Sequence, residues 1–250
     1  MRIFTPGGGS SGALLASNNL SDVSSASTSR TNLGLAIGTN VQAYNAATAV
    51  TNTAQTFTAT QSGAIQTLTD ASTIAVNDAI GNNMQVQLSG NRTLGTPTNL
   101  VAGTTGFINI YQDLTGSRTL SYTWAWQFAG GTPPVLSTGK GVFDQLYYAV
   151  NRSKSSTVTV TIAAPGVMTW TGHGLYSGER IQLSTTGALP TGLSTATTYW
   201  ITVVDANTFK LSTSQANMQA GTFITTSGSQ SGVHTATSIS ITIGSNLGVL

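Results

Sequence analysis

Helix-forming charge is almost missing from this chain: there is one glutamate, Glu179, and there are three lysines, Lys140, Lys154 and Lys210, in 250 residues. Charged side chains make up 6% of the sequence, against about 25% in an ordinary soluble domain. In their place, 43 Thr and 28 Ser put a small hydroxyl at 71 positions. Long helices draw on Lys, Glu, Leu and Arg, so a helical bundle is excluded. Threonine instead suits the pleated, half-buried surface of a strand, and the expected fold class is all-β.

The few ions also limit partners. Nine Lys and Arg stand against seven Asp and Glu, for a net charge of +2. Scattered along the chain, they form no basic stripe of the kind that neutralises phosphates, so nucleic acid is excluded as a partner. The pI near 9.0 reflects how few groups titrate. Mean hydropathy is +0.09, so the surface is wetted by hydroxyls and amides rather than by the mixed charges of an ordinary soluble monomer. Such a neutral skin is suited to burial against copies of itself, and a homo-oligomer is expected. No run approaches the roughly 18 apolar residues of a membrane span, and Met1 to Gly12 lacks the apolar centre of a signal peptide. The chain has no cysteine, which removes disulfides and thiolate metal sites. Sequons at Asn19, Asn91 and Asn151 carry little weight without an export signal.

Three segments follow from the pattern. Residues 1–50 read as an attachment arm. Gly7 to Gly12 form a flexible opening, and a short helix over Val23 to Leu33 is capped by Ser21 or Asp22 and ended by Gly34. Residues 51–152 read as a β-sandwich of jelly-roll type. Period-two alternation marks Thr53 to Thr60, Met84 to Leu88, Gly106 to Gln112, Leu120 to Phe128 and Phe143 to Val150. Turn signals at Gly81-Asn82-Asn83, Ser89-Gly90-Asn91, Thr115-Gly116-Ser117 and Gly130 to Pro134 separate these runs. The polar stretch Asn151 to Ser156 reads as a linker. Residues 153–250 then read as a small β-barrel or sandwich, with strands over Val158 to Ile162, Val167 to Trp170, Arg180 to Ser184, Thr198 to Val204, Thr208 to Leu211, Thr222 to Thr226 and Ser238 to Ile243. Asp205 and Asn207 mark a hairpin turn.

Chemistry-bearing residues are sparse. Gly7 to Gly12 fits the letters of a dinucleotide fingerprint and of a nucleophile elbow, but no strand precedes it to form the required α/β unit. His173 and His234 lack metal-ligand spacing. His173 with Glu179 offers an acid–base pair on paper, yet His173 lies between two glycines as a turn would require. Paired carboxylates are how glycosidases work. Asp70, Asp78, Asp113 and Asp144 share no motif, however, and Asp113 with Arg118 reads as an ion pair across a turn. Trp124, Trp126, Tyr147 and Tyr148 are the densest aromatics, read here with Trp170 and Trp200 as core rather than as a sugar platform. Trp124 and Trp126 fall on one face of a strand, whereas Tyr147 and Tyr148 fall on opposite faces. No catalytic, cofactor or metal-binding residue is assigned.

Three stretches resemble fibre and appendage proteins of tailed bacteriophages. The first runs from Asn18-Asn19-Leu20-Ser21-Asp22 to Asn32-Leu33-Gly34-Leu35. The second joins Gly90 to Leu94, Pro97 to Leu100, Tyr111-Gln112-Asp113, Gly116 to Leu120 and Phe128 to Ser137. The third joins Gly172 to Ile181, Ala188 to Leu193 and Tyr199-Trp200-Ile201. This resemblance implies a homotrimeric, non-enzymatic virion component, attached to other virion proteins through residues 1–50 and projecting β-modules outward from the tail or another external appendage. It implies adhesion to the host surface, with a bacterial surface glycan as partner. The chain is short for this class, with no long shaft repeat and no evident glycan-cleaving β-helix. A head, collar or neck decoration without receptor binding, and a polysaccharide-degrading spike, are the alternatives.

Overall fold

The computed structural model describes residues 25–35 and 63–249. The glycine-rich run at Gly7 to Gly12, the caps expected at Ser21 and Asp22 and the strand expected over Thr53 to Thr60 lie outside the described residues. The chain divides into two units, residues 1–61 and 62–250.

In the first unit, helix α1 (Ala26–Asn32) begins at Ser25, whose hydroxyl accepts the Thr28 N–H at 3.2 Å. It ends as expected at Gly34, which has a φ of 68°. The Leu35 N–H reaches the Arg30 carbonyl at 2.8 Å and the Gly34 N–H reaches Thr31 at 3.0 Å, the paired bonds of a Schellman end. None of its residues is buried.

Among its described residues the second unit is all-β, with one short α-helix and two single-turn 3-10 segments, Asp78–Ile80 and Ala129–Gly131. Its first half winds between two sheets. Strands β1 (Ile65–Thr67), β3 (Asn83–Leu88) and β5 (Thr105–Gln112) pair in parallel, so that Ile65, Asn83 and Phe107 stack. Strands β2 (Thr73–Ile74), β4 (Arg92–Leu94) and β6 (Leu120–Tyr122) make a second parallel sheet in which Thr73, Thr93 and Ser121 stack. Each coil of chain thus gives one strand to each sheet. The two sheets face one another across Ile74, Met84, Val86, Leu94, Ile108 and Ile110, all fully buried or nearly so. The arrangement is sandwich-like, but its strands run parallel where a jelly roll would alternate. Strands β2 and β4 are two and three residues long, too short to show an alternation.

The expected strand from Leu120 to Phe128 is broken. A turn closed by the Trp126 N–H on the Thr123 carbonyl, at 3.2 Å, separates β6 from β7 (Trp126–Phe128). Trp124 lies in that turn, so it does not share a strand face with Trp126.

Strand β8 (Phe143–Val160) corrects the linker: it runs straight through Asn151 to Ser156. Strand β13 (His234–Val249) pairs with it antiparallel along this length. The polar stretch has strand geometry because its partner is equally long, and its side chains bond across the ladder: Asn151 to Thr242 at 2.6 Å and Ser155 to Thr237 at 3.0 Å. Beyond it, β8 joins β9 (Val167–Thr169), β12 (Thr208–Ser212), β11 (Thr198–Val203), β10 (Arg180–Thr185) and β13 in a ring that returns to β8. Every pairing in the ring is antiparallel. This is a closed six-stranded barrel, filled by Val158, Met168, Ile181, Leu183, Tyr199, Ile201, Phe209 and Leu211. The segment Thr222 to Thr226, expected as a strand, joins no ladder; its backbone bonds to Leu211 of β12 and to Ala163 and Gly166 between β8 and β9, while Gln215–Gln219 forms helix α2.

The β8–β13 ribbon therefore serves two cores. On β13, Ile239, Ile241 and Ile243 belong to the first and Ala236 to the second. Odd and even positions point to opposite faces, so the cores lie on opposite sides of the ribbon. On β8, Val150 belongs to the first core and Val158 and Val160 to the second, all even. A β-bulge at Asn151 reconciles the two strands: Ile241 opposes Val150 and Ser240 opposes Arg152, leaving Asn151 unpaired.

Many of the hydroxyls and amides bond from strand to strand or coil to coil. Gln85 donates to Thr67 at 3.0 Å, Gln145 to Asn109 at 2.9 Å, Thr96 to Thr123 at 2.9 Å and Asn99 to Asn77 at 2.8 Å. The Thr93 and Ser121 hydroxyls are hydrogen-bonded at 2.8 Å.

Candidate glycan-binding groove

On the edge of β13 away from β8, β10 covers His234 to Thr237 and β7 covers Ile241 to Ile243. Among the described residues no strand pairs with the intervening Ser238 to Ser240 on that edge, and the Ser238 hydroxyl is buried without a partner. Where the two neighbouring strands part, a groove of about 830 Å³ opens.

One wall comes from β6 and β7: Tyr122, the turn residue Trp124, Gln127 and Phe128. The other is the outer face of the barrel, where Arg180 stands directly opposite Trp200 in the β10–β11 pair, with Gln215 of α2 beside them. Alternation explains this second wall, since Ile181 and Tyr199 fill the barrel and their neighbours must face out. Tyr122 and Phe128 meet edge to face with centroids 4.8 Å apart. The Tyr122 hydroxyl is buried without a hydrogen-bond partner, and burial together with the Asp144 charge raises its pKa. Trp126 forms the floor: it is 2% exposed and its Nε1 donates to the Gly95 carbonyl at 2.9 Å. Half-buried aromatic rings beside amide side chains can stack on a sugar ring and bond its hydroxyls.

Arg180 is half-buried, and its Nη2 donates to the Trp126 carbonyl at 3.3 Å. Burial lowers its pKa, and the guanidinium remains charged all the same. No carboxylate lines the groove among the described residues.

The acids are engaged elsewhere. Asp113 and Arg118 form the expected ion pair at 2.7 Å, with the Thr115 and Gly116 N–H groups also on the carboxylate. Asp70 takes a two-pronged contact from Arg92 at 2.7 and 2.8 Å and a further one from the Ser89 hydroxyl. Arg92 and those hydrogen bonds hold its carboxyl well below the usual range. Asp78 accepts the Tyr148 hydroxyl at 3.0 Å, Asp144 accepts the Ser137 N–H and hydroxyl, and Asp205 accepts the Asn207 and Thr208 N–H groups at its hairpin turn.

The structure gives His173 and Glu179 separate partners. His173 is buried: its Nδ1 accepts the Leu175 N–H at 2.9 Å, so its Nε2–H donates to the Asp205 carbonyl at 3.0 Å. Both ring nitrogens are thus spent on backbone, and the ring stands edge-on to Phe209. Glu179 meets Arg152 instead, at 2.7 Å. His234 lies between Thr185 and Gln230. No three His, Asp or Glu residues gather as a metal site among the described residues, and no described helix is long and apolar enough to cross a membrane.

Of the aromatics read as core, Trp126, Tyr148 and Trp170 are buried. Tyr147 is 45% exposed, on the face opposite Tyr148 as alternation requires. Trp124 and Trp200 are only half-buried and flank the groove. Sequence reading missed Gln127, Phe128 and Arg180 as lining. The available signal was the outward position of Arg180 and Trp200 on neighbouring strands, which becomes informative only once the pairing is known.

No protein-family model matches the chain, and no curated protein shows significant sequence similarity to it.

Proposed function

We propose that this chain is a structural component of a tailed-phage virion, a trimeric tail fibre docked through residues 1–50 that adheres to the host surface and cleaves nothing. The observation that carries the reading is the groove: aromatic rings and amides, without a carboxylate among the described residues. Cleaving a glycosidic bond ordinarily needs two carboxyl groups flanking it, whereas holding a sugar needs rings for it to stack on and amides to bond its hydroxyls. Linked copies would multiply weak contacts by avidity of about 10²–10⁴.

The test is binding of the labelled full chain to host cells, with purified host surface polysaccharide as competitor and light scattering for the mass. The reading requires saturable, competed binding by an assembly three times 25.6 kDa. A monomer that ignores cells would favour a decoration protein of the head, collar or neck. Release of reducing ends from the polysaccharide would make it a degrading spike.

A further inference from the structure

Among the described residues, the half-buried cation Arg180 makes one hydrogen bond, to the Trp126 carbonyl. A guanidinium carries five N–H donors, and a charge taken out of water is costly unless something opposite in sign meets it. Arg92, Arg118 and Arg152 each have an acid, and Arg180 has none among the described residues. Its open donors share a groove with Trp124 and Trp200. A neutral sugar would use the rings and leave the cation without a counter-ion, and a bare phosphate would use the cation and leave the rings uncovered.

We infer that the groove takes an acidic sugar, a uronic or sialic acid unit of a surface polysaccharide, with its ring against Trp124 and Trp200 and its carboxylate on Arg180. This rests on the adhesive reading above and adds the ligand's charge to it. Gln127 and Gln215 are placed to bond the ring hydroxyls, and a guanidinium meets a carboxylate best through two parallel N–H bonds.

The experiment titrates the full chain with glucuronate, galacturonate and N-acetylneuraminate beside glucose and galactose. Saturation-transfer NMR and tryptophan fluorescence read the binding. At least one acid should bind ten-fold or more tightly than the neutral sugars, and which acid does so separates uronate from sialate. The preference should vanish in Arg180→Gln and persist in part in Arg180→Lys. The wild-type comparison stands even if a variant folds poorly. Equal binding of glucose and glucuronate, both lost in Trp200→Ala, would overturn the acidic ligand while leaving a glycan groove. No response to any sugar, nor to alginate or polysialic acid, would overturn the glycan reading of the groove as well.

Discussion

Arg152 and Glu179 meet at 2.7 Å with side chains only 14% and 19% exposed, one residue past the bulge at which β8 changes face. The Arg152 Nε and the Glu179 Oε2 remain without hydrogen-bond partners, so the pair is incompletely satisfied. Removing one partner of such a pair typically costs about 3 kcal/mol, while replacing both with apolar residues is close to neutral. Urea unfolding should therefore show Arg152→Ala to be far less stable than wild type and the double replacement Arg152→Met with Glu179→Met to be close to it.

Burial raises the Glu179 pKa despite the neighbouring arginine. The folded state then holds the proton at pH values where the unfolded chain has released it, so this residue's contribution falls as pH rises from the ordinary glutamate value through the raised one. Comparing unfolding of wild type and Glu179→Gln from pH 4 to 8 should show that downward slope in wild type alone.

Asp70 behaves in the opposite sense. Its pKa is lowered by Arg92 and Ser89, so its stabilisation is complete above the ordinary aspartate value and is lost as pH falls through the lowered one. Asp70→Asn should cost about 1 kcal/mol near neutral pH, as a well-formed but partly exposed pair does, and the difference from wild type should shrink in strong acid.

The tryptophans should separate into two kinds. Trp126→Ala opens a core cavity and costs about 3–5 kcal/mol, read as a large drop in midpoint. Trp200→Ala, which belongs to neither core, should leave the melt nearly unchanged while weakening sugar binding at least ten-fold, about 1.4 kcal/mol. Trp124→Ala should weaken binding and also lower the midpoint, because Trp124 packs against the first core.

Gly106 lies where a Cβ would sit 1.9 Å from the Asn82 carbonyl oxygen, the same oxygen that accepts the Phe107 N–H and the Tyr148 hydroxyl. Gly106→Ala must push these apart, and an overpacking cost of about 3 kcal/mol is expected, visible as lost soluble expression or a lowered melting point.

The barrel was the more legible half. Its strands alternate cleanly because one face is packed and the other wet, as in Arg180 to Thr185, where Ile181 and Leu183 are buried between half-exposed neighbours. Of the parallel coils, β3 and β5 were legible as strands, over Met84 to Leu88 and Gly106 to Gln112. The second sheet was not, because its pairings, such as Thr73 with Thr93 and Ser121, join strands too brief for a period to emerge. Asn151 to Ser156 misled because a polar run reads as linker, whereas here the polar side chains are the ladder. The hydroxyl-rich skin was read as a surface for sister subunits; bonds such as Gln85 to Thr67 and Gln145 to Asn109 show that part of it is consumed within one chain. The groove escaped because Trp124, Arg180 and Trp200 are far apart in sequence and meet only through the divided edge of β13.

Sharing β8 and β13 between two hydrophobic interiors has a mechanical outcome. A pull on one end of the ribbon is carried to the other by rows of hydrogen bonds loaded together in shear, with no slack tether to absorb it. Asn151 is the surplus residue that lets even positions of β8 face one interior before it and the other beyond it; were it to take a rung of the ladder, every β8 side chain beyond would turn to the wrong face.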